Sequence, residues 1–487
     1  MSKDLQLKTG SAVFWSVLER VGLQSTQFLV SIILARILLP EQFGMLALLN
    51  VFLLAANLLI DSGFASALIQ KQSVSYADEC SIFYLNVLMG VLSCAGLCLL
   101  APWIAAFYKM PLLTDLTRAL SFNLIISSFG VVQVAGFSRR MDFKSLAKAS
   151  FIGTLSSGGL GTFLALSGFG VWSLVAQAIA NQLVNTILLW VYSPWRPAWL
   201  FCASSLKSMF RFGSRLLFSS LLEVVFSNLY VVIFGKLFSP TAVGYYSRAE
   251  QVPKMLGSTL SLVSGRIALP LFSSMQSDPK SLKAGMQKAL SILAFINFPL
   301  MVGLAVIARP FVLTVLTEKW APCIPYLQFL CVAGMLYPMH AINLNVLLAQ
   351  GRSDLYFRIE VWKKTMAIVF LLATFPWGMT AMVIGQVICS VLSYYLNTFY
   401  TGKLLDYSMV EQLLDMSPYF GCSVLMGVIV HALNFFPDFS MNLMLILQVF
   451  VGVGVYCVAC LRLKTSGGSA VSGLIRSVAK RAAFSLK

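Results

Sequence analysis

The chain runs to 487 residues, 58% of them hydrophobic and only 11% charged, with a mean hydropathy of +0.83. That balance excludes a soluble enzyme domain and a disordered region, since both need far more charge per residue. The net charge of +17 would suit nucleic acid, but the basic residues are scattered over short loops on one face, so topology and anionic headgroups account for them and no nucleic acid is expected.

In chain order, apolar stretches occupy approximately 11–35, 43–66, 80–100, 117–136, 148–168, 171–192, 212–236, 249–272, 289–309, 324–348, 360–376, 378–400, 415–435 and 441–463. A bilayer core of ~30 Å takes a helix of ~20 apolar residues. Only helices and closed barrels satisfy every backbone group in lipid. These are unbroken runs rather than ~10-residue alternating strands, which excludes a barrel. The expected fold is an all-α polytopic membrane protein of about 14 transmembrane helices.

An even number of spans puts both termini on one side. With the termini in the cytoplasm, 25 of the 35 Lys and Arg residues fall on that side, 8 fall outside and 2 lie within spans. The bias follows the positive-inside rule. Met1-Ser2-Lys3-Asp4-Leu5 leads into the first span with no Ala-x-Ala-like site, and an uncleaved signal anchor is expected. Eight of the ten cysteines lie inside spans, and Cys457-x-x-Cys460 has no second pair or His beside it. Buried apolar cysteine is the expected state, and no metal site is expected. His340 and His431 stand apart from Cys, Asp and Glu clusters and read as packed, hydrogen-bonded histidines.

The two halves echo each other. Arg36-Ile-Leu-Leu-Pro40-Glu-Gln-Phe-Gly44 is followed 200 residues on by Lys236-Leu-Phe-Ser-Pro240-Thr-Ala-Val-Gly244. Ser16-Val-Leu-Glu19 matches Ser220-Leu-Leu-Glu223 at 204, Ser62-Gly63 matches Ser264-Gly265 at 202, and Arg140-Met-Asp142 matches Arg352-Ser-Asp354 at 212. The repeat is six spans long, so both copies enter the membrane in one orientation, as in transporters built from parallel repeats. The expected domains are 1–200 (spans 1–6), 201–405 (spans 7–12), 406–465 (spans 13 and 14) and a basic cytoplasmic tail, 466–487. Pro40 and Pro240 should end a helix and start another, with Gly44 and Gly244 easing the restart.

Charges within spans are functional candidates because lipid penalises them. Arg266 in span 8, Glu223 in span 7 and Glu19 with Arg20 in span 1 are the deepest, with Asp61 near the cytoplasmic end of span 2. By the repeat, spans 1, 2, 7 and 8 are symmetry mates. Arg20 and Arg266 offer guanidinium forks suited to phosphate oxygens. Glu19 and Glu223 read as counter-ions, proton or cation sites, or locks, and Asp61 as an interfacial cap. Arg36, Lys236, Arg248 and Lys254 cluster by symmetry at the external mouth. In span 5, Gly153, Ser157 and Gly161 form a small-residue stripe for close packing. Neither a phosphate-binding Gly-x-x-x-x-Gly-Lys-[Ser/Thr] element nor a catalytic constellation is present, so a transporter rather than an enzyme is expected.

The runs Leu34–Gly44 and Asp61–Gln70, Phe137-Ser-Arg-Arg-Met-Asp-Phe143, Gly244-Tyr-Tyr-Ser-Arg-Ala249 and Glu318-Lys-Trp320 resemble Wzx-type polysaccharide flippases. These belong to the multidrug/oligosaccharidyl-lipid/polysaccharide exporter superfamily, and the resemblance is to the colanic-acid and teichuronic-acid exporter branch. It implies two six-helix lobes plus two helices, alternating between inward- and outward-facing states in a bacterial inner membrane. The implied substrate is an undecaprenyl-pyrophosphate-linked oligosaccharide repeat unit. A Na+ or H+ gradient is an implied driving force, and polysaccharide polymerase and co-polymerase are implied partners. In related lipid-linked precursor flippases, arginines of spans 1, 2 and 8 line the cavity. Arg20 and Arg266 fill the first and last places, whereas span 2 has no arginine here. Two rival readings stand beside this one: a cation-coupled drug antiporter of the same superfamily, and a non-transporting scaffold for glycan-assembly enzymes.

Overall fold

The computed structural model describes residues 22–61, 68, 74–202, 217–435 and 440–463; of Val263, Arg266 and Ile267 it describes the backbone only. The described residues are helices and short connections, with no strand among them. We label them α1 (Gly22–Ile37), α2 (Pro40–Asp61), α3 (Tyr76–Tyr108), α4 (Leu112–Ser128), α5 (Val131–Arg139), α6 (Phe143–Leu166) and α7 (Val171–Tyr192). There follow α8 (Leu217–Ser227), α9 (Leu229–Leu237), α10 (Pro240–Ser274), α11 (Pro279–Val306), α12 (Ile324–Ala349), α13 (Ser353–Thr374), α14 (Met379–Leu405), α15 (Met409–Ala432) and α16 (Met441–Arg462).

Every expected span carries a helix. The fourth and seventh are broken pairs, α4–α5 bent by 42° and α8–α9 by 45°. Among the described residues nine helices are long and apolar enough to cross a membrane alone, and up to eleven if each bent pair counts as one. The expected spans outside that set have physical reasons to be. Only residues 22–37 of the first are described, α10 carries Arg248, Glu250, Lys254 and Arg266, and α13 carries Asp354, Arg358, Glu360, Lys363 and Lys364.

Helix starts follow local chemistry. Ser75 and Ser408 close capping boxes with Asp78 and Glu411, and Asp142 accepts from the Ser145 N–H. Such caps satisfy orphan amides and contribute about 1 kcal/mol each. Asp278 caps α11 ahead of Pro279, and hydrogen bonds from Ser281 hold its carboxyl below the usual carboxylate range. Inside α12, Pro338 cannot bond the Gly334 carbonyl. The Asn297 amide of α11 donates to the Gly334 and Met335 carbonyls at 3.0 and 2.8 Å, which supplies the missing partner.

The chain divides into two compact units, 1–247 and 248–487. In the first, α3 packs on α4, α4 on α7 and α6 on α7; in the second, α11 packs on α12, α12 on α14 and α13 on α14. These are the same pairings of the third to sixth spans of each repeat, so the duplication extends to packing. Backbone conformation repeats as well. Met141 and Gly351, 210 residues apart, both have left-handed φ, 55° and 70°; Gly168 and Gly378, also 210 apart, both have φ of 86°. The register in this part is therefore 210, not the 212 expected from Asp142 and Asp354. Asp142 caps α6, whereas Asp354 sits inside α13 and takes a two-bond ion pair from Arg352 at 3.0 and 3.1 Å. The additional helix α15 packs along α11, and α16 along α15.

Candidate functional site

The matched Pro-x-x-x-Gly elements meet in the first unit. Pro40 and Pro240 each occupy the first position of a helix, where the missing N–H costs nothing. The glycines do something other than ease a turn. A Cβ on Gly44 would lie 1.8 Å from the Pro240 carbonyl oxygen, and one on Gly244 would lie 2.0 Å from the Pro40 oxygen. The starts of α2 and α10 therefore cross backbone to backbone, each glycine on the other repeat's proline. Only residues without a side chain permit such an approach.

The contact extends along α9. A Cβ on Gly235 would meet Leu48 at 2.2 Å and Tyr108 at 2.9 Å, and Tyr108 packs edge-on against Phe52 at 6.4 Å. Beside it Lys236 Nζ donates to the Phe107 carbonyl at 2.7 Å and lies 4.2 Å from that ring's centroid. The ammonium is thus held at the end of α3 while its stem covers apolar surface. The loops joined here (36–42, 108–111 and 236–240) are all expected on the external side. The opposite end of the unit joins two loops expected on the cytoplasmic side, with the Tyr76 hydroxyl donating to the Arg196 carbonyl. In the second unit Lys283 likewise donates to the Asp406 carbonyl, again joining two expected cytoplasmic loops. Each of these contacts joins loops at one end of its own unit.

The expected site residues are placed as follows. Glu19 and Arg20 lie outside the described residues, and of Arg266 only its position in α10 is described. Glu223 is exposed on α8, and Asp61, half-buried, is the last residue of α2. Arg36, Lys236 and Lys254 are exposed; Lys254 pairs with Glu250 at 3.3 Å. Arg248 differs from its neighbours, being buried with 7% exposure. Its Nη1 donates to Gln251 Oε1 at 2.6 Å and its guanidinium lies 5.5 Å from the centroid of Trp320, itself fully buried. The Gly244–Ala249 and Glu318–Trp320 motifs thus form one contact, far apart in sequence, which spacing alone did not reveal. The small-residue stripe of α6 receives the amide side of α7: a Cβ on Gly161 would lie 2.9 Å from Gln177, and Asn181 donates to Ser157 at 3.2 Å.

A second polar cluster was not expected. Asn343 of α12 donates to Gln412 of α15 at 3.2 Å; Gln412 also accepts from the Tyr394 hydroxyl at 2.8 Å, and Asn343 from Thr401 at 2.7 Å. All four side chains are buried. His340 lies beside them, packed and hydrogen-bonded, 2.8 Å from Asn397 and edge-on to Tyr394. Among the described residues no three of His, Cys, Asp and Glu come together as a metal site.

Residues 33–325 match the polysaccharide biosynthesis protein family, more than half of the chain. The chain belongs to that family. Its relatives include the lipopolysaccharide biosynthesis protein WzxC of Escherichia coli, 29% identical over 80% of this chain and 81% of that one. The teichuronic acid biosynthesis protein TuaB of Bacillus subtilis is 26% identical over 84% and 86%, and the succinoglycan biosynthesis transport protein ExoT of Rhizobium meliloti 28% over 67% and 66%. Among solved structures, the lipid II flippase MurJ in its inward closed conformation is similar with a TM-score of 0.70 and 14% identity, over 93% of this chain and 98% of that one. A multidrug resistance MATE family transporter of the MOP superfamily, in its inward-facing conformation, is similar at 0.62 with 16% identity, over 80% and 99%. At these identities the structural likeness shows a shared fold. The chain is a multi-pass membrane protein of the polysaccharide biosynthesis protein family.

Proposed function

We propose that the protein moves an undecaprenyl-pyrophosphate-linked oligosaccharide from the cytoplasmic to the periplasmic leaflet of a bacterial inner membrane by alternating access. The observation that carries the mechanism is the reciprocal Gly44–Pro240 and Gly244–Pro40 crossing. Two equivalent helix starts touching without side chains form a tight seam between the matched elements of the two repeats, on the side expected to be external. Relatives named for lipopolysaccharide, teichuronic acid and succinoglycan synthesis support the glycan class.

Arg266 and Arg20 are the proposed pyrophosphate ligands, since guanidinium forks bind phosphate oxygens in pairs. Glu19, Glu223 and Asp61 are proposed counter-ions or coupling groups for a Na+ or H+ gradient. Arg36, Lys236 and Lys254 are proposed to steer the anion at the external mouth, a role that the burial of Arg248 leaves to its neighbours. The polymerase and co-polymerase are proposed partners, and both termini are proposed to be cytoplasmic.

The test is complementation of cells lacking their own exopolysaccharide flippase, read as periplasmic exposure of the lipid-linked repeat unit. The parent restores exposure, and Arg266→Ala at equal protein level loses it. Resistance to cationic drugs, with no exposure on several glycans, would favour the antiporter. Unchanged exposure in Arg20→Ala and Arg266→Ala together would favour the scaffold.

A further inference from the structure

After α7 the chain does not leave the unit but turns back along α3. Residues 193–202 form a strap fixed at four points. The Tyr76 hydroxyl donates to the Arg196 carbonyl, and that of Tyr84 to the Ala198 carbonyl at 3.2 Å. The Ala198 N–H points to Cys80 Sγ at 3.4 Å, and the Cys202 N–H donates to Ser81 Oγ at 2.7 Å. Pro194 and Pro197 stiffen it further. Trp195 packs on Phe83 at 5.6 Å and Trp199 stacks on Tyr84 at 5.6 Å. A short loop of this kind has no need of so many anchors unless something on it must be held in place.

What it holds is Arg196. Its Nη1 donates to the Ser193 and Trp195 carbonyls at 2.6 and 2.8 Å, and the guanidinium lies 5.7 Å from the Trp190 ring centroid. Trp190 is in turn fixed by its indole N–H, which donates to the Phe129 carbonyl at 2.9 Å. Among the described residues no carboxylate lies within ion-pair distance of Arg196. The cation is therefore positioned with no carboxylate of the described residues paired to it.

Next to it lies a cavity of about 480 Å³ between α4 and α7, lined by Ile125, Ile126, Phe129, Ile187 and Trp190 among others, with Arg196 the one charged residue lining it. Its α7 edge, Ile187 and Val191, is exposed and apolar, as a surface that meets lipid tails would be. A mostly apolar slot, with Thr186 its one uncharged hydroxyl, an exposed apolar edge and a fixed cation at its end, matches an amphiphile with one chain in the slot and an anion at its head. The loop charges put this end of α7 at the cytoplasmic leaflet, where anionic lipids collect and basic pockets between helices take their headgroups.

We propose that this slot binds one anionic phospholipid of the cytoplasmic leaflet, an acyl chain along Phe129 and Ile187 and the phosphate on the Arg196 guanidinium. The site lies on the flank of the first repeat, away from the external seam. It would anchor that repeat to the bilayer while other helices move.

The full chain, purified in detergent and delipidated, is titrated with phosphatidylglycerol, phosphatidylcholine and undecaprenyl phosphate, bound copies being counted by native mass spectrometry. One copy of phosphatidylglycerol binds in preference to phosphatidylcholine by about fivefold, the equivalent of ~1 kcal/mol for one arginine near an anionic lipid surface. Arg196→Gln abolishes that preference and Arg196→Lys keeps it. Ile187→Trp, which fills the slot without touching the strap, removes the copy and decides the matter if Arg196→Gln fails to fold. Equal binding of the two phospholipids by the parent, or retention of the copy in Ile187→Trp, overturns the proposal. Displacement of phosphatidylglycerol from this copy by undecaprenyl phosphate also overturns it, reassigning the slot to the transported lipid.

Discussion

Gly44 and Gly244 make the sharpest demand on single residues. Each leaves no room for a Cβ against a proline carbonyl of the other repeat, so alanine at either position forces α2 and α10 apart. Gly44→Ala and Gly244→Ala are expected to fold and reach the membrane but to lose most translocation, with a cysteine placed at Pro240 becoming reactive to an impermeant external thiol reagent. Unchanged reactivity would remove the seam from the mechanism. Trp320 makes a different demand. Truncating a buried aromatic costs about 3–5 kcal/mol, and here it also strips the cover from a buried guanidinium. Trp320→Ala should therefore lower the thermal unfolding temperature far more than Trp320→Phe, which keeps a ring under Arg248. Neither role was legible in the residues themselves: a matched glycine reads as a turn former until its partner is seen, and the Arg248–Trp320 contact joins motifs that no periodicity links.

At the scale of elements, buried amides do what apolar packing cannot do in lipid. Without a hydrophobic drive between helices, association depends on close packing and interhelical hydrogen bonds. Gln412 is the link from α15 to α12 and α14. Gln412→Leu leaves Asn343 and Tyr394 short of partners, at about 1–3 kcal/mol for a buried group left unsatisfied, and should loosen α15 in particular. Proteolysis in detergent should then cut the 406–408 loop faster than in the parent. Asn297→Ala should destabilise by a similar ~1–3 kcal/mol, because the carbonyls exposed by Pro338 lose their donor. Helix positions were legible in sequence because ~20-residue apolar runs leave little choice. The breaks at 128–131 and 227–229 were not, since neither contains a proline to announce it.

For the whole molecule, the repeat is the feature that sequence and structure share most fully. The 200-residue match of Pro40 and Gly44 with Pro240 and Gly244 marks helix starts that prove to be physical mates. Farther on, side chains have diverged and backbone conformation keeps the register, so Met141 answers Gly351 with no likeness of residue type. That is why the expected 212-residue match of Asp142 with Asp354 paired residues with different jobs. The deep charges of the first span lie outside the described residues, and their role rests on the chemistry of arginine and phosphate.

The most direct test of translocation is made in sealed vesicles holding the purified protein and an undecaprenyl-pyrophosphate-linked oligosaccharide in both leaflets. Exposure is read as the fraction of glycan open to a soluble glycosidase outside. Glycan from the inner leaflet is expected to become accessible with the parent and to stay protected with Gly44→Ala and with Arg266→Ala. Equal accessibility in vesicles with and without the parent protein would contradict it.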